Sequence, residues 1–160
     1  FPRSFQEKTM ESGNYYEESL NSLRLVEVYN TRIERIRQYL RSEIEYVKSK
    51  TALDDDLLEI GAGYGRILKE LAPYARSLSG IDLSPETVQY GRSYLKGLGN
   101  VSLEVMDAYS LNYLERFDLT LCLQNGISAI KGNPQLLVER ALQATKAGGR
   151  VLFSTYSPKI

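Results

Sequence analysis

Apolar residues recur along the chain in two rhythms. In the first third, Tyr29, Ile33, Ile36, Leu40, Ile44 and Val47 fall three or four positions apart, the spacing of one helix face. Arg32, Glu34, Arg35, Arg37, Gln38, Arg41 and Glu45 mostly fill the other faces. The pattern predicts a helical region over about 17–49, broken once near Asn30-Thr31. It either covers one face of the following domain or, over 10–30, forms a lid carrying Tyr15 and Tyr16. From residue 53 the rhythm changes. Apolar runs at 57–60, 77–82, 101–106, 117–123 and 150–156 read as strands, and helical stretches separate them. One helix spans about 64–72 and stops near Pro73. A second opens at Ser84-Pro85, where serine caps free N–H groups and proline suits the first helical position; it ends near Gly97–Gly99. Asn133-Pro134 opens a third, and Gly148-Gly149 ends its connection to the last strand. Strand–helix alternation predicts an α/β domain: an open, mostly parallel sheet with right-handed crossovers and helices on both faces. The chain divides into an arm and helical cap over 1–52 and a sheet core over 53–160.

In such sheets ligands bind beyond the carboxyl ends of the strands, and polar residues stand at those ends. Glu59 and Gly61 close the first strand, Asp82 the second, Asp107 the third, and Gln124-Asn125 the fourth. Between the first strand and its helix lies Gly61-Ala62-Gly63-Tyr64-Gly65, a turn that lets a ligand approach the backbone closely. Its spacing is G-x-G-x-G; a dinucleotide fingerprint would place its third glycine where Arg66 stands. Asp82 can accept from two ribose hydroxyls, or simply help cap the helix after it. Asp107 can accept from an adenine amino group while the Ala108 N–H donates to the ring, or be an ordinary loop acid. Glu59 can orient the glycine turn, receive an ammonium group, or both.

Read together, these stretches resemble the class I S-adenosylmethionine (SAM)-dependent methyltransferases. Glu59-Ile60-Gly61-Ala62-Gly63-Tyr64-Gly65 is similar to the first motif of that family, and Gly80-Ile81-Asp82-Leu83-Ser84-Pro85-Glu86 to the second. Val105-Met106-Asp107-Ala108 resembles the third motif and Phe117–Leu123 the fourth; Lys146–Leu152 resembles the usual run into strand five. The resemblance covers 53–157 and implies a Rossmann-like core that binds SAM and leaves S-adenosylhomocysteine (SAH). It implies that Asp82, followed by Leu83, holds the ribose and that Asp107 with Ala108 holds the adenine. Gly61, Ala62 and Gly63 would line the methionine portion, and the Gln124 backbone with Leu123 would meet its ammonium. Tyr16, from the lid, joins the cofactor contacts. Family members usually add two more strands after the fifth, so strand five should be an open edge. We expect a piece of a longer protein, or a second copy covering that edge as a homo-oligomer.

Composition narrows the chemistry. The chain has 160 residues, with 20 basic and 20 acidic side chains, so nothing resembles a basic nucleic-acid footprint. Histidine is absent, which excludes His-based triads and His metal sites, and the single Cys122 excludes an intrachain disulfide. No metal is expected. No apolar run approaches a membrane span, and a cytoplasmic protein is the default. Gln124-Asn125-Gly126-Ile127 is not the Asn/Asp-Pro-Pro-Tyr motif of amino-methylating nucleic-acid enzymes, and Cys122 lacks the preceding proline of cytosine-C5 enzymes. The expectation is transfer of a methyl group from SAM to a small-molecule acceptor by in-line displacement. The catalytic residues are unassigned; Tyr15, Tyr16, Glu17 and Asn125 stand on the acceptor side. The alternatives are a non-catalytic SAM-binding partner subunit and an NAD(P)-binding oxidoreductase.

Overall fold

The computed structural model describes residues 22–155, with side chains from 26 onward. The arm, Tyr15, Tyr16 and Glu17 lie outside the described residues. Two helices come first, α1 (Ser22–Tyr29) and α2 (Glu34–Lys48), broken where Asn30-Thr31 predicted. The core follows in strict alternation: β1 (Asp56–Ile60), α3 (Arg66–Leu71), β2 (Ser77–Asp82), α4 (Pro85–Tyr94) and β3 (Val101–Val105). Then come β4 (Phe117–Cys122), a short α5 (Gly126–Ala129), α6 (Pro134–Ala144) and β5 (Thr145–Phe153). The sheet order is β3-β2-β1-β4-β5, with every neighbouring pair parallel. The chain therefore reverses its direction of travel across the sheet between β1 and β4, where a ligand crevice is expected.

Burial explains the two kinds of strand sequence. β1 and β4 are central and covered on both faces; Leu57, Leu58, Ile60, Leu119, Leu121 and Cys122 are all 0–1% exposed. That requirement produces near-continuous apolar runs. β3 is an edge strand and buries only Leu103, so its sequence alternates. One core layer packs Ile44 and Val47 of α2, Leu68 of α3 and Val88 of α4 onto Leu57, Leu78 and Leu121. The other packs Leu137, Ala141 and Ala144 of α6 onto Leu58, Ile60 and Ile81. Each leucine fully buried this way contributes roughly 1.5–3 kcal/mol. The predicted Ser84 cap forms, its hydroxyl accepting from Thr87 N, and at the helix opening read at Asn133-Pro134 the Asn133 Oδ1 accepts from Gln135 N.

Two expectations need correction, and one element is added. The apolar stripe of the first helices is only half used, because Ile33 and Ile36 are 59% and 42% exposed while Ile44 and Val47 are buried. The α2 axis meets the sheet layer only with its second half. β5 begins at Thr145 rather than 150. Thr145 pairs with Phe117, the chain then bulges, and pairing resumes between Leu119 and Arg150. Gly148, at φ 79°, makes that bulge possible, so the glycine pair lies inside the strand. Finally, α5 carries no predicted periodicity. It follows Gln124 and Asn125, two consecutive non-glycine residues in the left-handed region (φ 54° and 62°).

Candidate functional site

The glycine turn occupies the end of β1. Gly61, Gly63 and Gly65 all adopt positive φ (72°, 56° and 85°), so the spacing reflects three left-handed positions in five residues. A Cβ on Gly65 would also come within 2.6 Å of Leu95 Cδ1. The turn is bonded to the next strand: Gly61 N and Ala62 N both donate to Ile81 O at 2.9 Å, and Gly63 N donates to Asp82 Oδ2 at 2.9 Å. Its N–H groups are thus largely engaged within the protein, and the turn acts on a ligand mainly by shape.

Asp82 therefore fixes the turn, a role the sequence suggested for Glu59. Its other oxygen, Oδ1, accepts from Ser84 N at 3.0 Å, leading the chain into α4. Each oxygen keeps a further lone pair for a ligand hydroxyl. Burial raises the Asp82 pKa against the opposing effect of these two bonds. At the end of β3, Asp107 Oδ1 accepts from Tyr109 N at 2.9 Å and opens a short 3₁₀ turn, Ala108–Ser110.

Glu59 is 3% exposed. It shares a sheet face with Leu57. Its Oε2 has no hydrogen-bond partner. Burial pushes its carboxyl up to about 8; Arg66 pulls the other way, and Glu43 and Asp82 add to the rise. A buried, unpartnered acid at a cleft is a functional-site candidate. Across the switch point, Gln124 N donates to Glu43 Oε1 at 3.1 Å and to Ser154 Oγ at 2.7 Å, and the Ser154 hydroxyl bonds Glu43 as well. Glu43 of α2 thereby braces the left-handed Gln124-Asn125 turn against the end of β5. The Gln124 N–H is engaged as a donor, and its carbonyl oxygen is the backbone atom that could accept from an ammonium.

These groups surround one cavity of about 360 Å³ at the carboxyl ends of β1, β2, β3 and β4, within the range of small-ligand sites. Glu59, Gly61, Ala62, Gly63 and Asp82 line it, as do Leu83, Asp107, Ala108, Leu123 and Gln124. The tenfold convergence comes from topology alone, since these positions span more than sixty residues of chain. Tyr16 lies outside the described residues. Sequence reasoning missed Tyr29, Arg66 and Tyr109 as lining groups. Arg66 had a usable signal, a charge opening a helix directly after the glycine turn. Tyr29 was read only as one member of a helix stripe. Among the described residues, the buried side-chain atoms lacking a hydrogen bond are Glu43 Oε2, Glu59 Oε2, Arg66 Nε and Nη2, Tyr109 Oη, Gln124 Nε2 and Arg140 Nε. All except the last belong to the lining or, for Glu43, to its brace.

Known proteins share this arrangement. The family model described as "Methyltransferase domain" matches residues 57–149. EEF1A lysine methyltransferase 2 of Homo sapiens is 37% identical over 109 residues, covering 66% of this chain and 46% of that protein. Ubiquinone biosynthesis O-methyltransferase of Azoarcus sp. (strain BH72) is 29% identical, covering 62% and 43%. The chain spans less than half the length of these curated relatives. Among solved structures, the N-methyltransferase NodS of Bradyrhizobium japonicum WM9, in complex with SAH, superposes with a TM-score of 0.70 at 20% identity, over 88% of this chain and 72% of that one. That likeness shows the fold: the Rossmann-like methyltransferase architecture expected from the motifs. With the family model spanning the strands, turn and rim acids that build the cavity, the chain belongs to the methyltransferase-domain family.

Proposed function

We propose that this domain binds SAM in the cavity and forms the donor half of a methyltransferase. The observation that carries the reading is the convergence of the glycine turn, Asp82, Asp107 and the unpartnered Glu59 on one cavity at the switch point. Asp82 takes the ribose hydroxyls with its free lone pairs. Asp107 and Ala108 meet the adenine at the end of β3. Gly61, Ala62 and Gly63 shape the passage for the methionine portion, and Glu59 Oε2 with the Gln124 carbonyl receives its ammonium. An orphaned buried carboxylate fits that group, since a charge-assisted hydrogen bond offsets its desolvation. The cofactor supplies an electrophilic methyl on a sulfonium sulfur. The chain's part is to hold donor and nucleophile in line.

The acceptor reading is a small molecule, supported by the balanced charge and the absence of a nucleic-acid motif. A protein amine is the second reading, favoured by the 37% identity to a lysine methyltransferase. Among the described residues β5 pairs with β4 alone, which supports a second copy of the chain as partner along its other edge. Among the described residues no helix is long and apolar enough to cross a membrane.

Thermal-shift titration with SAM, SAH and NAD tests the cofactor reading. Ligand at about 100 times its dissociation constant should add roughly 2.7 kcal/mol, a shift of about 5–10 °C for a domain this size. The shift should appear with both sulfur ligands, be absent with NAD, and disappear in Asp82→Ala. A shift with NAD alone would refute the reading. Radiolabel transfer from SAM to a metabolite pool or to protein extract then separates the two acceptor classes.

A further inference from the structure

Leaving β4, the chain makes a sharp left-handed turn before α5. Gln124 and Asn125 stand at φ 54° and 62°, and Gly126 N donates to Leu123 O at 3.0 Å to close the turn. Asparagine tolerates that region, whereas glutamine enters it at a cost. Such strain persists only where surrounding contacts over-determine it. Much of the cavity depends on this turn. Asn125 O accepts from Ser128 N and Ala129 N, both at 3.0 Å, and so starts α5. The stretch from Leu123 to Lys131 supplies six of the residues lining the cavity.

Two groups hold the turn from outside. Gln124 N donates to Ser154 Oγ at 2.7 Å and to Glu43 Oε1 at 3.1 Å, and the Ser154 hydroxyl donates to the same carboxylate oxygen. Both side chains stand behind the wall rather than in the cavity lining. Glu43 comes from α2, the helix that packs on the sheet through Ile44 and Val47. Its other oxygen, Oε2, is buried without a hydrogen-bond partner. As a way of docking α2, a half-satisfied carboxylate is a poor choice, because apolar packing would hold the helix without the desolvation cost. The strained turn it bonds accounts for the group better than helix packing does.

We infer that Glu43 is a positioning residue. Acting through the Gln124 N–H, it keeps the wall from Gln124 to Lys131 in its ligand-binding position, and it thereby links docking of the helical cap to the affinity of the cavity. This rests on the cofactor reading above.

The experiment pairs calorimetric titration with amide hydrogen exchange of the ligand-free chain, on the wild type, Glu43→Ala, Glu43→Gln and Ser154→Ala. The ligands are SAH and 5′-methylthioadenosine, which keeps the adenosine and sulfur but lacks carboxylate and ammonium. The truncated ligand is the cleaner probe, because the Glu43 charge also acts on Glu59. Glu43→Ala should weaken 5′-methylthioadenosine about tenfold and speed exchange of the Gln124 amide by a similar factor, while the Ile44 and Val47 amides keep their protection. Glu43→Gln keeps an acceptor oxygen and should bring both readings back to within about threefold of the wild type. Ser154→Ala should move both in the same direction as Glu43→Ala. Loss of protection at Ile44 and Val47 together with Gln124 overturns the proposal, because Glu43 would then hold α2 rather than the turn. Weaker SAH with unchanged 5′-methylthioadenosine overturns it too, since Glu43 would then act on the amino-acid end directly. So does an unchanged Glu43→Ala, an unchanged Ser154→Ala, or a Glu43→Gln that restores neither reading. If the wild type binds neither ligand, the cofactor reading itself fails and the proposal with it.

Discussion

Binding of SAH at neutral pH should drive a proton off the enzyme, and Glu59 should be its source. In the empty cavity burial pushes this carboxyl up to about 8, with Arg66 opposing and Glu43 and Asp82 reinforcing. A group with that pKa is about 90% neutral at pH 7. An ammonium against Oε2 favours the ionised form, so each bound ligand should displace up to about 0.9 proton. Ionising such a group at pH 7 costs about 1.4 kcal/mol, and the apparent affinity for SAH should accordingly climb about tenfold between pH 6 and pH 7. Calorimetric titrations at pH 7 in phosphate and in Tris, whose ionisation enthalpies differ, give the number of protons directly. Glu59→Gln should bring that number close to zero and flatten the pH dependence, and 5′-methylthioadenosine should release none from the wild type. A proton count near zero in the wild type, or one unchanged in Glu59→Gln, would refute the reasoning. A stability corollary has a fixed sign. The folded pKa lies above the ordinary carboxylate value of 4.5, so between about 4.5 and 8 the folded state binds the proton that the unfolded chain has lost. The ligand-free melting temperature should then fall as pH rises through that window, less steeply in Glu59→Gln.

At the opposite end of the sheet Asp118 accepts from Asp56 N and from Lys146 Nζ, both at 2.8 Å. Asp56 is held well below the usual carboxylate range, first by its hydrogen bond from Arg76. This contribution is complete above pH 4 and is lost as pH falls further, so Lys146→Met should move the acid-unfolding midpoint upward; an unmoved midpoint would discount the network. Gly91→Ala would set a Cβ 2.4 Å from Leu103 Cδ2 and 2.8 Å from the Tyr64 carbonyl oxygen, which is backbone and cannot yield. Overpacking of about 1–3 kcal/mol exceeds the helix-propensity gain of about 1 kcal/mol, so urea denaturation should show a loss; a variant as stable as the parent would show that α4 can shift. Cys122 is fully buried and its thiol is pushed up to about 12 by burial, with Glu59 adding. Its reaction with a disulfide reagent at pH 8 should proceed only at the rate of unfolding, and rapid labelling of the native chain would contradict its placement in β4.

The cavity was legible because its parts end apolar runs. Asp82 and Asp107 terminate strands whose burial is written in their sequences, and the strand-end rule then places them on one rim. Gln124 came with the same rule, while Leu83 and Leu123 came only with the family resemblance. Glu43 carried no comparable signal. It sits among the charged positions of a helix, and its partner Gln124 is 81 residues away. The exposed Ile33 and Ile36 show the converse: periodicity reports a face that can be buried, and the structure decides which part of it meets a neighbour. The bulge in β5 was hidden for a third reason. A glycine pair reads as the end of a loop, while here it lets a strand lose and regain its register beside Asp118.

The parallel strand order also sets a sequence of assembly. Asp56 meets Ser77 only 21 residues on, yet its N–H meets Asp118 62 residues on. Closing the longer loop costs about 1 kcal/mol more. The β1–β2–β3 half should therefore come together before β4 docks on the other side of β1. At that stage the glycine turn, Asp82 and Asp107 already stand on one rim, while the wall formed by Leu123 and Gln124 is still to come. A nascent chain can thus display the ribose and adenine contacts before it can close on the amino-acid end, and ligand would favour the final docking step rather than the first.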